Sequence, residues 1–176
     1  ALANEHVANA AFPHRPLEYA KAVREMVHRY AAGTLGLLIA FLAGWALVHR
    51  RHPQQPVAVP VVLVGVVILQ AWLGMLTVTW LLKPLIVMLH LLGGMTVLGL
   101  LWWLMLTPQP DLRSREHASL RGMVVLALVI TGVQIALGGW TSANYAAVSC
   151  PDFPLCQAQW WPEADFREAF VLWRGL

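Results

Sequence analysis

The chain has 176 residues, 59% of them hydrophobic and only 12% charged, and its mean hydropathy is +0.61. Soluble globular chains run nearer half apolar and about a quarter charged, so a water-soluble domain and a disordered polymer are both excluded. A net charge of +3, drawn from 12 Lys and Arg that form no single stripe, argues against nucleic acid as a partner.

The N-terminal segment, 1–22, is polar and has no charged start followed by an apolar stretch, so it does not read as a removable signal peptide. Four apolar runs follow: Tyr30–Val48, Val57–Leu82, Leu85–Leu106 and Met123–Trp140. None contains Asp, Glu, Lys or Arg. Each is long enough to cross a ~30 Å hydrocarbon core as a helix. Backbone polar groups find no partner in lipid, so helix is the expected form. Helices are therefore expected over 23–49, 57–82, 85–106 and 123–141, and the fold class is all-α: a polytopic membrane protein. Pro60 falls in the first turn of the second helix, where its missing N–H costs little. Lys83 and Pro84 make a short turn, so the second and third helices are antiparallel neighbours. The link over 107–122 is polar and carries Pro108 and Pro110. The last segment, 142–176, holds the two cysteines, and its end reads either as an amphipathic interfacial stretch or as loop.

Four spans put both termini on one side. The two short loops on the other side carry Arg50, Arg51, Arg113, Arg115 and Arg121, a denser set than the terminal segments hold. The positive-inside rule then makes those loops cytoplasmic and both termini external, in a bacterial-type plasma membrane. Cys150 and Cys156 flank Pro-Asp-Phe-Pro-Leu on the external side. A tight loop with two prolines brings two Cα atoms within bridging range, and disulfides persist in oxidising compartments. Two free thiols or half of a metal site are the alternatives, although no further Cys or His lies nearby to complete a zinc site.

Seven histidines are present, and His6, His14, His49, His52 and His117 fall in polar segments where solvation suffices. His90 is the one ionisable side chain inside an apolar run, which by itself suggests a functional site. His28 lies just before the first run. The first and third helices run parallel, and each carries its histidine near the external end. Two imidazoles so placed suit axial ligation of one haem iron. Ala32 and Gly36 share the His28 face, and Gly94 shares the His90 face with Gly93 beside it, as a flat macrocycle requires. Small residues also simply let helices pack closely in membranes. Glu25 shares nearly the same face as His28. It reads either as a proton acceptor at the mouth of a haem pocket or as a surface ion pair with Arg29. Gln70 to Thr77 and Gln134 to Thr141 share the pattern Q-x-x-L-G-x-x-T, which suggests a duplicated bundle element whose buried Gln and Thr can hydrogen-bond across helices or to a ligand.

Several of these segments resemble one family. Glu-Met-Val-His-Arg at 25–29 with the following Tyr-Ala-Ala-Gly-Thr-Leu-Gly, LGMLTVTWLLKP at 73–84, MLHLLGG at 88–94 and GGWTSANYAAVSCPDFPLCQ at 138–157 occur in the order found in haem A synthases, the cytochrome oxidase assembly enzymes. The resemblance covers roughly 20–176. It implies a fold of two pseudo-symmetric four-helix halves, each with a two-histidine haem site. It also implies oxidation of the C8 methyl of haem O to the formyl group of haem A, with haem b as cofactor in the other half. Matched by motif, Glu25 is the catalytic carboxylate, His28 and His90 ligate the iron of the haem O substrate, and Cys150 and Cys156 form a disulfide.

The first helix of the family and the second pair of haem histidines have no counterpart in these residues. The chain is expected to be a piece of such an enzyme, inactive alone. Its partners on this reading are the haem substrate, membrane lipid and an electron donor that the residues do not reveal, with haem O synthase left open. Two alternatives remain: a bis-histidine haem b electron-transfer membrane protein, and a cofactor-free structural or assembly membrane protein.

Overall fold

The computed structural model describes residues 10, 18–80, 82–107, 118–146, 150, 152, 154–161 and 166–172. Four long helices carry the apolar runs: α1 (Tyr19–Val48), α2 (Ala58–Thr79), α3 (Pro84–Leu106) and α4 (Ala118–Ala143). A single short turn of helix, α5 (Phe166–Ala169), follows in the C-terminal segment. All four long helices are long and apolar enough to cross a membrane. The fold is all-α, and no strand is formed among the described residues.

Helix ends depart from the apolar runs where water, not lipid, surrounds the chain. α1 begins at Tyr19, ahead of the expected 23, because Lys21 and Ala22 both donate their N–H to the Glu18 carbonyl and extend the helix over polar residues. Its 30 residues rise about 45 Å, well beyond a ~30 Å hydrocarbon core. Counting about twenty residues back from Val48 puts the hydrocarbon boundary near Arg29, so His28 sits at its lip. α4 likewise starts at Ala118, before the expected 123.

α2 stops at Thr79, earlier than expected, because the chain turns at Leu82. Leu82 adopts φ 56°, the left-handed conformation that usually ends a helix at glycine. Its N–H reaches back to the Thr77 carbonyl at 2.9 Å and satisfies an end group of α2. The Lys83 ammonium lies 5.6 Å above the Trp80 ring, a cation–π contact across the same turn. Pro84 then opens α3 in the first turn, where no N–H is needed.

Neighbouring helices pack along the chain order, α1 on α2, α2 on α3 and α3 on α4. Lipid is as apolar as leucine, so close packing rather than escape from water holds such helices together. One cluster joins Ile39 of α1, Leu63 of α2 and Val97 of α3. A second joins Leu73 and Leu76 of α2 to Ile86 of α3 beside the α2–α3 turn. α4 meets α3 through Gly139, where an added Cβ would stand 2.8 Å from Cδ2 of Leu91. Beyond α4, Trp140 stacks on Phe170 with ring centroids 6.2 Å apart.

Burial along α1 is lopsided. Ile39, Ala43 and Ala46 are buried, whereas between Tyr19 and Leu35 only Ala22 is partly covered. The helix therefore grips its neighbours through its second half and leaves its first half open. That open half carries Glu25 and His28.

Candidate functional site

The α2–α3 hairpin sets the position of His90. Because the turn is short, the two helices run antiparallel in a fixed register, with two glycines at the rungs. At one rung Gly74 faces the His90 imidazole, where an added Cβ would stand 3.3 Å from Cε1. At the next, Gly93 faces Gln70, and an added Cβ would overlap the Gln70 amide. His90 is half-buried, about two turns into α3. Its Nδ1 has no hydrogen-bond partner, and neither does Nε2 or Oε1 of Gln70. These three are the buried side-chain polar atoms left unpaired among the described residues. Native interiors rarely leave such atoms unmatched, and those that persist mark a site needing an explanation.

His28 is exposed on the free half of α1. Ile39 and Val97 share one cluster, which fixes the relative height of α1 and α3. His28 lies eleven residues from Ile39 and His90 seven from Val97, both toward the α2–α3 turn. His28 therefore stands about one turn, ~6 Å, nearer that end of the bundle. The two histidines occupy the same end of the bundle without being level.

The small residues around them divide into two kinds. Gly36 is used in packing, 3.5 Å from Val67 at its added Cβ, and Gly93 houses Gln70. An added Cβ at Gly33 or Gly94 meets nothing within 4 Å. Gly94 is one turn from His90 on the same face, so open space adjoins the imidazole. No group of three or more His, Cys, Asp or Glu able to hold a metal occurs among the described residues. Two imidazoles beside an open, small-residue face do not make a bare-ion site. They fit a metal whose remaining ligands come with it, as the four nitrogens of a porphyrin do.

Glu25 is engaged with Arg29 at 2.6 Å, an exposed i, i+4 pair with side chains 50% and 56% accessible. The local ion pair expected from spacing is thus formed, one turn from His28. Elsewhere, His49 and His52 are exposed, while His6, His14 and His117 lie outside the described residues. Thr77 and Thr141 of the repeated pattern donate to carbonyls of their own helices, Gly74 and Leu137, and not across the bundle. The two copies of the pattern also differ in use: Gly74 is covered by the His90 ring, and Gly138 faces open space.

Cys150 and Cys156 are joined in a disulfide with Cα atoms 4.5 Å apart. Cys156 and Gln159 exchange backbone hydrogen bonds of 2.9 and 3.1 Å around Gln157 and Ala158, whose φ values are 54° and 61°. Two consecutive left-handed residues make the tight hairpin turn that normally favours Asn or Gly. Asp152 compensates: its carboxylate accepts the N–H of Ala158 at 2.7 Å and of Gln157 at 3.1 Å. Those bonds, that to Ala158 first, hold the Asp152 carboxyl below its ordinary pKa of 3.8.

Sequence reasoning found His28, His90, Glu25 and the cysteines, and read Gln70 as a repeat residue able to hydrogen-bond across helices or to a ligand, without pairing it with His90. A signal was present. A hairpin centred near residue 82 pairs 74 with 90 and 70 with 93, which sets the lone amide of the second run opposite a glycine.

Comparison with known proteins adds the following. Residues 4–176 match the family model described as cytochrome oxidase assembly protein. The heme A synthase of Shewanella oneidensis is 41% identical over 171 residues, covering 96% of this chain and 51% of that protein. The heme A synthase of Shouchella clausii is 29% identical, covering 85% and 51%. That of Bacillus licheniformis is 27% identical, covering 89% and 53%. The chain thus spans about half the length of the curated relatives it matches. No solved structure matches it.

Proposed function

The chain belongs to the family of cytochrome oxidase assembly proteins, and from that premise we propose that it carries the substrate site of a haem A synthase. It is an integral membrane protein with four apolar helices. The substrate on this reading is haem O, gripped between His28 and His90, and its C8 methyl is oxidised to a formyl group. The bound iron supplies the redox chemistry, and the protein supplies ligands, orientation and electrostatics.

One observation carries the proposal: His28 on α1 and His90 on α3 stand at the same end of the bundle, on helices whose relative height the Ile39–Val97 cluster sets. One further feature supports it: an added Cβ at Gly94, one turn from His90 on the same face, meets nothing within 4 Å. His28 and His90 would hold the haem, and Gly94 leaves room beside His90. Glu25, one turn from His28, stands at the open end of the site, where its carboxylate can take a proton released from the substrate edge. Arg29 holds that carboxylate in place.

The α2–α3 turn and the disulfide loop belong to the external side on this reading. The arginines at 50 and 51 and the disulfide between Cys150 and Cys156 support that orientation.

Extraction of the pigment from purified full-length protein tests the reading. Haem O or its oxidised products are expected. A pigment of haem b alone would favour the electron-carrier alternative, and a colourless, folded, haem-replete preparation would favour a cofactor-free role.

A further inference from the structure

We propose that Gln70 is the positioning residue of His90: its side-chain carbonyl accepts a hydrogen bond from Nδ1–H of the imidazole and so commits Nε2 to the open side. The proposal rests on the reading of His90 as a haem ligand.

The argument starts from unmet valences. The unpaired buried side-chain atoms among the described residues are the Gln70 amide and His90 Nδ1, and nothing else. They lie on one interface, in adjacent rungs of the α2–α3 hairpin. A neutral imidazole that binds a metal through Nε2 carries its proton on Nδ1 and needs an acceptor there. Metal-bound histidines almost always find one, and it fixes the ring's tautomer and orientation while strengthening it as a ligand. Gln70 offers an acceptor oxygen without bringing a charge into lipid, where a charge is costly.

Both glycines serve this arrangement. Gly93 is the space that the Gln70 amide fills, since any side chain there would collide with it. Gly74 lets the His90 ring lie against α2, so the ring cannot swing toward that helix. The Gln70 main-chain carbonyl also lies near the ring and is the rival acceptor. The equivalent Gln134 of the repeated pattern is exposed, and no ring covers its glycine. What singles out Gln70 is therefore the apposition to His90 and not the pattern.

The test uses full-length protein in detergent, with haem O as the probe and His90→Ala to identify the haem component concerned. Gln70→Leu removes the acceptor at nearly constant volume, and Gln70→Glu keeps an oxygen at the same reach. Gly93→Ala displaces the amide without touching His90. Gln70→Leu is expected to weaken haem O binding about tenfold or more and to raise the midpoint potential of the component that His90→Ala removes. An imidazole without its acceptor stabilises ferric iron less. Gly93→Ala should move both quantities in the same direction. Gln70→Glu, which keeps an acceptor oxygen and adds charge beside the imidazole, should lower the midpoint potential below that of the unsubstituted protein. Unchanged affinity and potential in Gln70→Leu would overturn the proposal and leave the main-chain carbonyl as the acceptor. A potential in Gln70→Glu equal to that in Gln70→Leu would reduce Gln70 to a packing residue. If His90→Ala removed no haem component, the ligand assignment itself would fall, and the role of Gln70 with it.

Discussion

Gly74 and His90 touch across the α2–α3 interface so closely that a single added carbon at Gly74 would stand 3.3 Å from Cε1 of the imidazole. The contact ties the one half-buried ionisable group of the apolar runs to a hairpin whose register is set by a short turn. It also separates two kinds of glycine near the site. Gly74→Ala trades a helix-propensity gain of about 1 kcal/mol against a ring that must shift, so fold stability should barely change while haem binding weakens. Gly94→Ala meets no atom within 4 Å and should keep that gain of about 1 kcal/mol unopposed. Gly94→Phe should fold equally well and exclude haem. Thermal unfolding and haem titration of the three variants check this, and normal haem binding by Gly94→Phe would remove the open face from the account.

Glu25 makes an exposed ion pair with Arg29. Such pairs contribute roughly 0–1 kcal/mol, so Glu25→Gln should leave stability nearly unchanged. If the carboxylate handles a proton in the reaction, the same variant should lower haem A formation by about a hundredfold or more and retain bound haem O. Haem analysis of cells expressing the full-length variant measures both. Undiminished haem A would return Glu25 to a surface role.

Four spans were legible because lipid imposes a simple demand: about twenty apolar residues without a charge. His90 was legible for the same reason, as an ionisable side chain where none is expected. Helix ends were less so. Tyr19 to Ala22 and Ala118 to Gly122 are helical outside the apolar runs, where composition no longer distinguishes helix from loop. Side-chain apposition was the hardest part. Gly93 and Gly94 look alike in sequence, yet one is filled by Gln70 and the other faces space. That difference depends on how α2 rotates against α3, which no single-helix pattern records.

The disulfide between Cys150 and Cys156 closes a loop of sequence separation 6. The chain-entropy relation gives about 2 kcal/mol for a loop of this size. A membrane-impermeant maleimide should leave the native protein unlabelled on intact spheroplasts and label it at both cysteines after reduction. Labelling without reduction would contradict the bond, and labelling confined to inverted vesicles would reverse the orientation.

Asp152 offers a pH test of the same loop. Its carboxyl is held below 3.8 by the N–H of Ala158 foremost. A depressed carboxylate stabilises the fold fully above the unfolded value and loses that contribution as pH falls through its own lower value. The Gln157–Ala158 turn should therefore stay intact at pH 5 and loosen only below pH 3.8. Asp152→Ala should loosen it at every pH. Amide exchange at Gln157 and Ala158 reports this, and unchanged exchange in Asp152→Ala would show that the turn needs no carboxylate.

The central claim is that His28 and His90 hold one haem between them. The most direct measurement is the reduced-minus-oxidised visible spectrum of purified full-length protein, with and without His90→Ala. The account predicts that the substitution abolishes one bis-histidine haem component while the protein stays folded. An identical spectrum in the variant would contradict it.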